Sequence, residues 1–189
     1  DLSATFDEVV LVDVVHPLSV YLTALWYRNV TLVRADVTAT AAELAKVARD
    51  PNVPLPWAAP QTFCDDSRVD YVVSVNLLSQ LPYVPSFYLE KKSRPDSEIE
   101  AYGRDLIGSH LDYLKRLPGV VTLITDVEKL KVDRAGTVLD RFDILYGAVL
   151  PWQADEWTWD HVPLKHVSPD YGYQRRVCAV KNIKSAVLR

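Results

Sequence analysis

The chain has 189 residues, 49% of them hydrophobic and 24% charged, so it can bury a sizeable core and is not disordered as a whole. With 21 basic and 25 acidic residues its net charge is −4, which excludes a general basic field for nucleic acid but leaves a local patch open. No run approaches the roughly 18 apolar residues of a membrane span. We therefore expect a cytoplasmic protein with a small-molecule partner, no nucleic acid or membrane partner, and homo-oligomerisation left open.

Strands and helices alternate in the first third of the sequence. Apolar, β-branched runs at Val9 to Val12 and Val30 to Ala35 predict strands that are covered on both faces. Between them Pro17 permits a helix to start, and apolar residues recur at helical spacing. These residues are Leu18, Leu22, Leu25 and Trp26. After the second strand, Thr38 or Thr40 can cap another helix, so the order predicts an α/β layer architecture.

The middle of the chain contains a Pro-rich segment at residues 50–68, which we interpret as a surface excursion. Its four prolines between residues 50 and 60 exclude an ordinary helix or a central strand. A third buried strand is predicted at Tyr71 to Asn76. The apolar stripe from Pro95 to Leu117 predicts one long amphipathic helix, and Val120 to Thr125 a fourth strand.

The last third of the chain alternates polar and apolar residues. A turn at Asp133 to Gly136 inside the segment Lys131 to Ile144 predicts a hairpin. Glu156 to His161 and Tyr173 to Lys181 predict an antiparallel pair at a sheet edge. The predicted fold is a single α/β domain over residues 1–189, with a mostly parallel sheet flanked by helices and a C-terminal antiparallel strand pair.

Polar residues follow the predicted strands at their carboxyl ends: Asp13, Asp36, Asn76 and Asp126. Open α/β sheets bind ligands at that edge. A carboxylate there can accept both hydroxyls of a ribose, as Asp13 would, and an acid one strand further out can accept from an exocyclic amine, as Asp36 would. The same residue types also occur in such loops as ordinary turn and helix-cap residues.

The order of these segments resembles a class I S-adenosylmethionine-dependent methyltransferase from that family's second strand onward. The residues that carry the resemblance are Val9 to Asp13, Val33 to Asp36, Tyr71 to Asn76 and the closing antiparallel pair. It implies a Rossmann-like sheet and S-adenosylmethionine as the cofactor.

The resemblance also implies roles for individual residues. Asp13 would hold the cofactor ribose and Asp36 the adenine, while Val37 would pack against the adenine ring. Asn76 would line the reaction centre near the methyl group.

That family carries a Gly-rich loop after its first strand, and this sequence shows none. In the family the first strand pairs between the second and fourth strands, so without it two interior edges would be unpaired. We expect an upstream segment to supply this strand, which would make the domain incomplete at its N-terminus. The alternatives are a differently arranged sheet or a partner chain that fills the gap.

The candidates for catalysis are Asn76 and His16, because His16 follows Asp13 closely. His161 and His166 lie five apart with Pro163 between them, a poor ligand spacing, so no metal is expected. Aromatic residues could wall a planar substrate pocket: Trp152, Trp157, Trp159, Tyr83, Phe87 and Tyr88. The basic pair at residues 175–176 is interpreted as solvated surface.

The sequence therefore favours a methyltransferase-like protein that transfers a methyl group from S-adenosylmethionine to an unidentified small molecule. The alternative is a non-catalytic protein of the same fold with an assembly or ligand-binding role. An NAD-dependent oxidoreductase is the third hypothesis, since an acid after the second strand also suits that cofactor.

Overall fold

A computed structural model describes residues 2–163, 166 and 168–189 of the chain. Within these residues helices and strands alternate up to β3 and strands predominate after α5. The elements in chain order are α1 (Leu2–Thr5), β1 (Val9–Asp13), α2 (Leu18–Ala24), β2 (Val30–Arg34), α3 (Ala41–Val47), β3 (Tyr71–Val75), α4 (Tyr83–Glu90), α5 (Asp96–Arg116), β4 (Val120–Asp133), β5 (Val138–Asp143), β6 (Asp155–Val162) and β7 (Tyr171–Val180).

The strands form two separate sheets. β1 and β2 make a two-stranded parallel sheet, in register from Val9 opposite Val30 to Asp13 opposite Arg34. The other strands make a five-stranded sheet of order β3-β4-β7-β6, with β5 beside the second half of β4. Only β3 is parallel to β4, and β5, β6 and β7 all pair antiparallel.

The prediction of one mostly parallel, Rossmann-like sheet is therefore wrong. The parallel pairs β1–β2 and β3–β4 exist, but no pairing joins them in the described residues, and antiparallel pairing dominates the larger sheet. The physical reason is the length of β4, which was expected to end at Thr125. It continues through an irregularity between Asp126 and Glu128 to Asp133, and this second half pairs with β5 and β7.

Several local predictions are confirmed. The C-terminal pair β6–β7 is antiparallel, and β4 and β5 form the predicted hairpin. The long helix is α5, which starts after Pro95 and ends before Leu117. Two short helices, α1 and α4, were not predicted. Helix α4 starts directly after Pro82, and the prolines in this segment had argued against a helix there.

Helix α5 covers one face of the five-stranded sheet and forms the main core with it. Its side chains pack with those of β4 and β7 on the face that also carries Val72. Fully or almost fully buried members of this core include Ile107, Leu114, Val121, Leu123 and Val180. A second cluster joins α5 to α3 and to Ala58 of the Pro-rich segment, which contains no helix or strand between residues 50 and 68.

Helix α2 differs from its prediction in the face that it buries. Its expected apolar stripe is exposed, with Leu18 at 72%, and Trp26, beyond the helix end, at 86% relative accessibility. The opposite side of the helix, with Val20 and Ala24, lies beside Val9 and Leu11 of β1. The hydrophobic periodicity therefore identified the helix but not the side that faces the sheet.

A cavity of about 740 Å³ separates the two sheets. Phe6, just before β1, stacks on Tyr71 at the start of β3 with 5.8 Å between ring centroids, and Arg68 lies 3.7 Å from Glu8. β1 and β3 each keep one edge without a strand partner among the described residues. That a further strand lies between them stays a prediction. No described helix is both long and apolar enough to cross a membrane.

Candidate functional site

Asp13 and Asp36 lie at the same edge of the two-stranded sheet. Asp13 is the last residue of β1 and stands opposite Arg34, the last residue of β2. The backbone N–H of Ala35 donates to the Asp13 carbonyl at 3.0 Å, which brings the chain after β2 beside β1. The Asp13 side chain is exposed and accepts one long hydrogen bond, 3.3 Å from the N–H of Val15. Most of its accepting capacity is therefore available.

The Asp36 carboxylate, in contrast, is occupied by its own chain. One oxygen accepts from the N–H and the hydroxyl of Thr38 at 2.9 and 2.7 Å. The other accepts from the N–H groups of Thr40 and Ala41 at 3.0 and 2.9 Å. Asp36 thus satisfies free N–H groups at the start of α3, the helix-capping role that was the alternative to ligand binding. Val37, which follows it, is half-buried.

Asn76 immediately follows β3 in the other sheet. Its backbone has a positive φ of 51°, a conformation that asparagine tolerates better than most residues, and its N–H donates to the Ile124 carbonyl at 2.8 Å. Its Oδ1 atom is buried without a hydrogen-bond partner among the described residues. A buried acceptor without a donor is costly, so this atom marks a position where a ligand group or water would bind.

His16, the other catalytic candidate, is buried and engaged locally. Its Nε2 lies 3.1 Å from the Val33 carbonyl, and its ring meets Tyr21 edge-on. Because a carbonyl oxygen can only accept, Nε2 donates this hydrogen bond, which holds the loop after β1 against β2. This geometry favours a structural role for His16.

Sequence reasoning placed Asp126 after the fourth strand but missed its pairing with Arg175 on the larger sheet. Asp126 lies inside β4 rather than after it, and its Oδ2 is 3.9 Å from Nε of Arg175. Both Oδ1 of Asp126 and Nε of Arg175 are buried without a hydrogen-bond partner in the described residues. Burial raises the pKa of Asp126, against the opposing effects of Arg175, His161 and Trp159. The sequence did hold a signal for the buried position of Arg175. Side chains alternate along a strand, which turns Arg175 and Arg176 to opposite faces of the sheet.

The structure brings only some of the predicted site residues close together. The two acids share an edge, but no described hydrogen bond or ion pair joins either of them to Asn76. The 740 Å³ cavity is lined largely by residues at the amino ends of β1 and β3, and not by Asp13, Asp36 or Asn76. This cavity is therefore not the hollow beside the acids that the enzymatic interpretation predicts. Within the described ranges, no group of three His, Cys, Asp or Glu side chains could hold a metal ion.

Comparison with protein-family models, with curated proteins and with solved structures finds no match.

Proposed function

We propose that the chain is a methyltransferase-like protein that binds S-adenosylmethionine and transfers its methyl group to an unidentified small molecule. The observation that carries the proposal is the free carboxylate of Asp13 at the end of β1. An exposed carboxylate with one weak acceptor contact can take both hydroxyls of a ribose.

The fit of the other residues refines this proposal. Because four donors already fill the Asp36 carboxylate, the adenine would contact the half-buried Val37 and the backbone around it rather than that carboxylate. The unpartnered Oδ1 of Asn76 would accept a hydrogen bond from the cofactor or the acceptor.

Bound S-adenosylmethionine supplies a sulfonium methyl group, which a nucleophile attacks while the carbon–sulfur bond breaks and its electron pair returns to sulfur. The contribution of the chain is to position the two reactants, which can account for much of the rate enhancement in such a displacement. A general base is needed only for an acceptor that must lose a proton.

Calorimetric titration with S-adenosylhomocysteine, the product form of the cofactor, tests the proposal. We expect saturable binding that is at least tenfold weaker in Asp13→Asn, with Asp65→Asn, another exposed carboxylate, as the matched control. In a thermal-shift assay, ligand at 100 times its dissociation constant should add about 2.7 kcal/mol to stability. Equal affinity in Asp13→Asn would remove Asp13 from the site, and no binding by the intact chain would overturn the proposal.

A second candidate is a non-catalytic assembly or ligand-binding role. Two observations favour it: the saturated Asp36 carboxylate, and the edges of β1 and β3 that have no strand partner within the described part of the chain. In the same assay, stabilisation by neither S-adenosylhomocysteine nor NAD would support this role. Stabilisation by NAD alone would instead support the oxidoreductase hypothesis, which no observation here favours.

A further inference from the structure

One side of helix α2 and of the turn that follows it is apolar and exposed. The residues concerned recur at positions i, i+3, i+4, i+7 and i+8, so they lie on the same face. We call the following set the α2 stripe: Leu18, Tyr21, Leu22, Leu25 and Trp26. All five are exposed, from 44% for Tyr21 to 86% for Trp26. The stripe is therefore continuous along the helix and open to a partner.

The exposed area of the α2 stripe is large for a protein of this size. Leucine, tyrosine and tryptophan residues exposed to these fractions present roughly 700 Å² together, whereas the largest apolar patch of a typical monomer is about 300–600 Å². A specific interface of standard size buries about 800 Å² on each partner. The stripe is thus large enough to form most of one side of a stable protein interface.

The α2 stripe carries no charge. From Pro17 to Tyr27 the sequence contains no acidic or basic residue, and Arg28 is the first one after the helix. Two identical surfaces related by a twofold axis bring like charges near that axis together, which costs free energy. An uncharged stripe avoids this cost, so it suits a second copy of the same chain.

Helix α4 carries another group of exposed apolar residues, which provides a comparison. Its Tyr83, Val84 and Phe87 are also more than half exposed. The Nζ atom of Lys91, however, lies 4.2 Å from the centroid of the Phe87 ring, so this surface carries a positive charge. Two copies that met here would bring their ammonium groups together. The α2 stripe is therefore the better surface for self-association.

A lipid surface is another occupant that an apolar helix face could take. Helices that lie in a membrane interface are rich in Lys and Arg on their polar face. The side of α2 opposite the stripe carries Val20 and Ala24 and lies beside β1, and the chain as a whole has a net charge of −4. Neither feature attracts an anionic membrane, so these observations favour a protein partner.

We propose that the chain forms a homodimer in which the α2 stripes of two copies pack together about a twofold axis near Leu22. Leu22 has two members of the stripe before it and two after it, so an axis there lets the whole stripe of each copy face the other. The interface would bury roughly 1,400 Å² in total, within the range of about 1,200–2,000 Å² for specific complexes. We expect a reversible dimer with a dissociation constant on the order of micromolar. The proposal does not depend on the cofactor site.

Sedimentation velocity of the full chain, from well below to well above micromolar concentration, tests the proposal. We expect the weight-average mass to rise from 21.4 kDa towards twice that value. Leu22→Lys should weaken the association at least tenfold, because it places two like charges near the axis. Val84→Lys, the same type of change on α4, is the matched control and should leave the dimer intact.

Mixtures of variants test the twofold geometry. Leu22→Lys and Leu22→Glu should each be monomeric alone and should form a mixed dimer when combined, because opposite charges then meet at the axis. Circular dichroism of each variant establishes that it is folded. If a Leu22 variant proved unfolded, Trp26→Ser, at the most exposed position of the stripe, would take its place and should also weaken the association at least tenfold.

Four outcomes would overturn the proposal. The first is a constant mass of 21.4 kDa up to the highest concentration. The second is a dimer that both Leu22→Lys and Trp26→Ser leave intact, which would place the interface elsewhere. The third is the failure of the two folded Leu22 variants to form a mixed dimer. The fourth is binding to phospholipid vesicles by a chain that stays monomeric, which would make lipid the occupant of the stripe.

Discussion

The smaller sheet and the first half of β4 have similar sequences but differ in how they are buried. β1 and β2 are runs of apolar, β-branched residues, yet none of their residues is fully buried. The first half of β4, up to Thr125, has a comparable composition, and its Val121 and Leu123 are completely inaccessible. The difference lies in what covers them, because α5 packs its apolar stripe on the larger sheet, while α2 turns its own stripe to the solvent. A strand becomes part of a core only when another element covers it.

The contrast in burial predicts unequal costs for the same truncation in the two sheets. Leu123→Ala, in the larger sheet, should lower the free energy of unfolding by about 3 kcal/mol, since it leaves a cavity under α5. Leu11→Ala, at a half-buried site on β1, should cost about 1 kcal/mol or less. Urea denaturation followed by circular dichroism measures both. Equal costs would show that the smaller sheet is covered as well as the larger one.

The larger sheet should also respond to pH through His110 of α5. Burial lowers the pKa of His110 to about 4, and its Nε2 lies 3.3 Å from the Ser74 hydroxyl, so the imidazole is neutral in the folded protein at neutral pH. The unfolded chain takes up a proton near the ordinary value of 6.5. The stability that depends on neutral His110 is therefore complete above about pH 6.5 and decreases as the pH falls towards 4.

Between pH 7 and pH 5 this effect should amount to about 2 kcal/mol, at 1.36 kcal/mol for each unit of pKa difference. The measurement is the urea midpoint at the two pH values. His110→Gln is the control, because it removes the titrating group and should not show this part of the loss. If the two proteins lost equal stability, His110 would not be the cause.

The smaller sheet should show its pH dependence at lower pH, through Asp36. Burial raises the pKa of Asp36, but hydrogen bonds from Thr38, Ala41 and Thr40 outweigh it, so the folded value lies below the ordinary 3.8. The stabilisation is complete above about pH 3.8 and is lost as the pH falls through the lower folded value.

Removal of this cap by Asp36→Ala should cost about 1 kcal/mol at pH 7. Asp36→Asn, which keeps one acceptor oxygen, should cost less. Urea denaturation at pH 7 and pH 5 should give the same difference between Asp36→Ala and the parent, because Asp36 does not titrate in that range. A cost that vanished at pH 5 would contradict the assigned cap.

The predicted site shows which of its features local sequence patterns can predict and which they cannot. The spacing of Asp13 and Asp36 after two parallel strands correctly placed both at one edge, because β1 and β2 are neighbours in sequence and in space. The same pattern could not show that the Asp36 carboxylate turns back on α3. Threonines at positions 38 and 40 were the available signal, since Asp followed by Thr two residues later is typical of a side-chain turn.

Arg175 illustrates the opposite case. In the sequence it is one of two adjacent basic residues and was interpreted as solvated surface, whereas its Nε is buried beside Asp126. The β7 alternation separates it from Arg176, but only the pairing of β7 with β4 and β6 shows which residues it meets. Contacts between segments distant in sequence depend on register, which local propensity does not encode.

The sequence by itself determined the position of α5, the four apolar strands, the β4–β5 hairpin and the closing antiparallel pair. Each of these depends on periodicity, caps and turn residues within a few positions of one another. Only the tertiary structure decided that the strands form two sheets, that β4 continues to Asp133, and that α2 exposes its apolar stripe. Backbone pairing along a strand edge and the covering of a face involve segments far apart in the chain, and their free energy arises only when those segments meet.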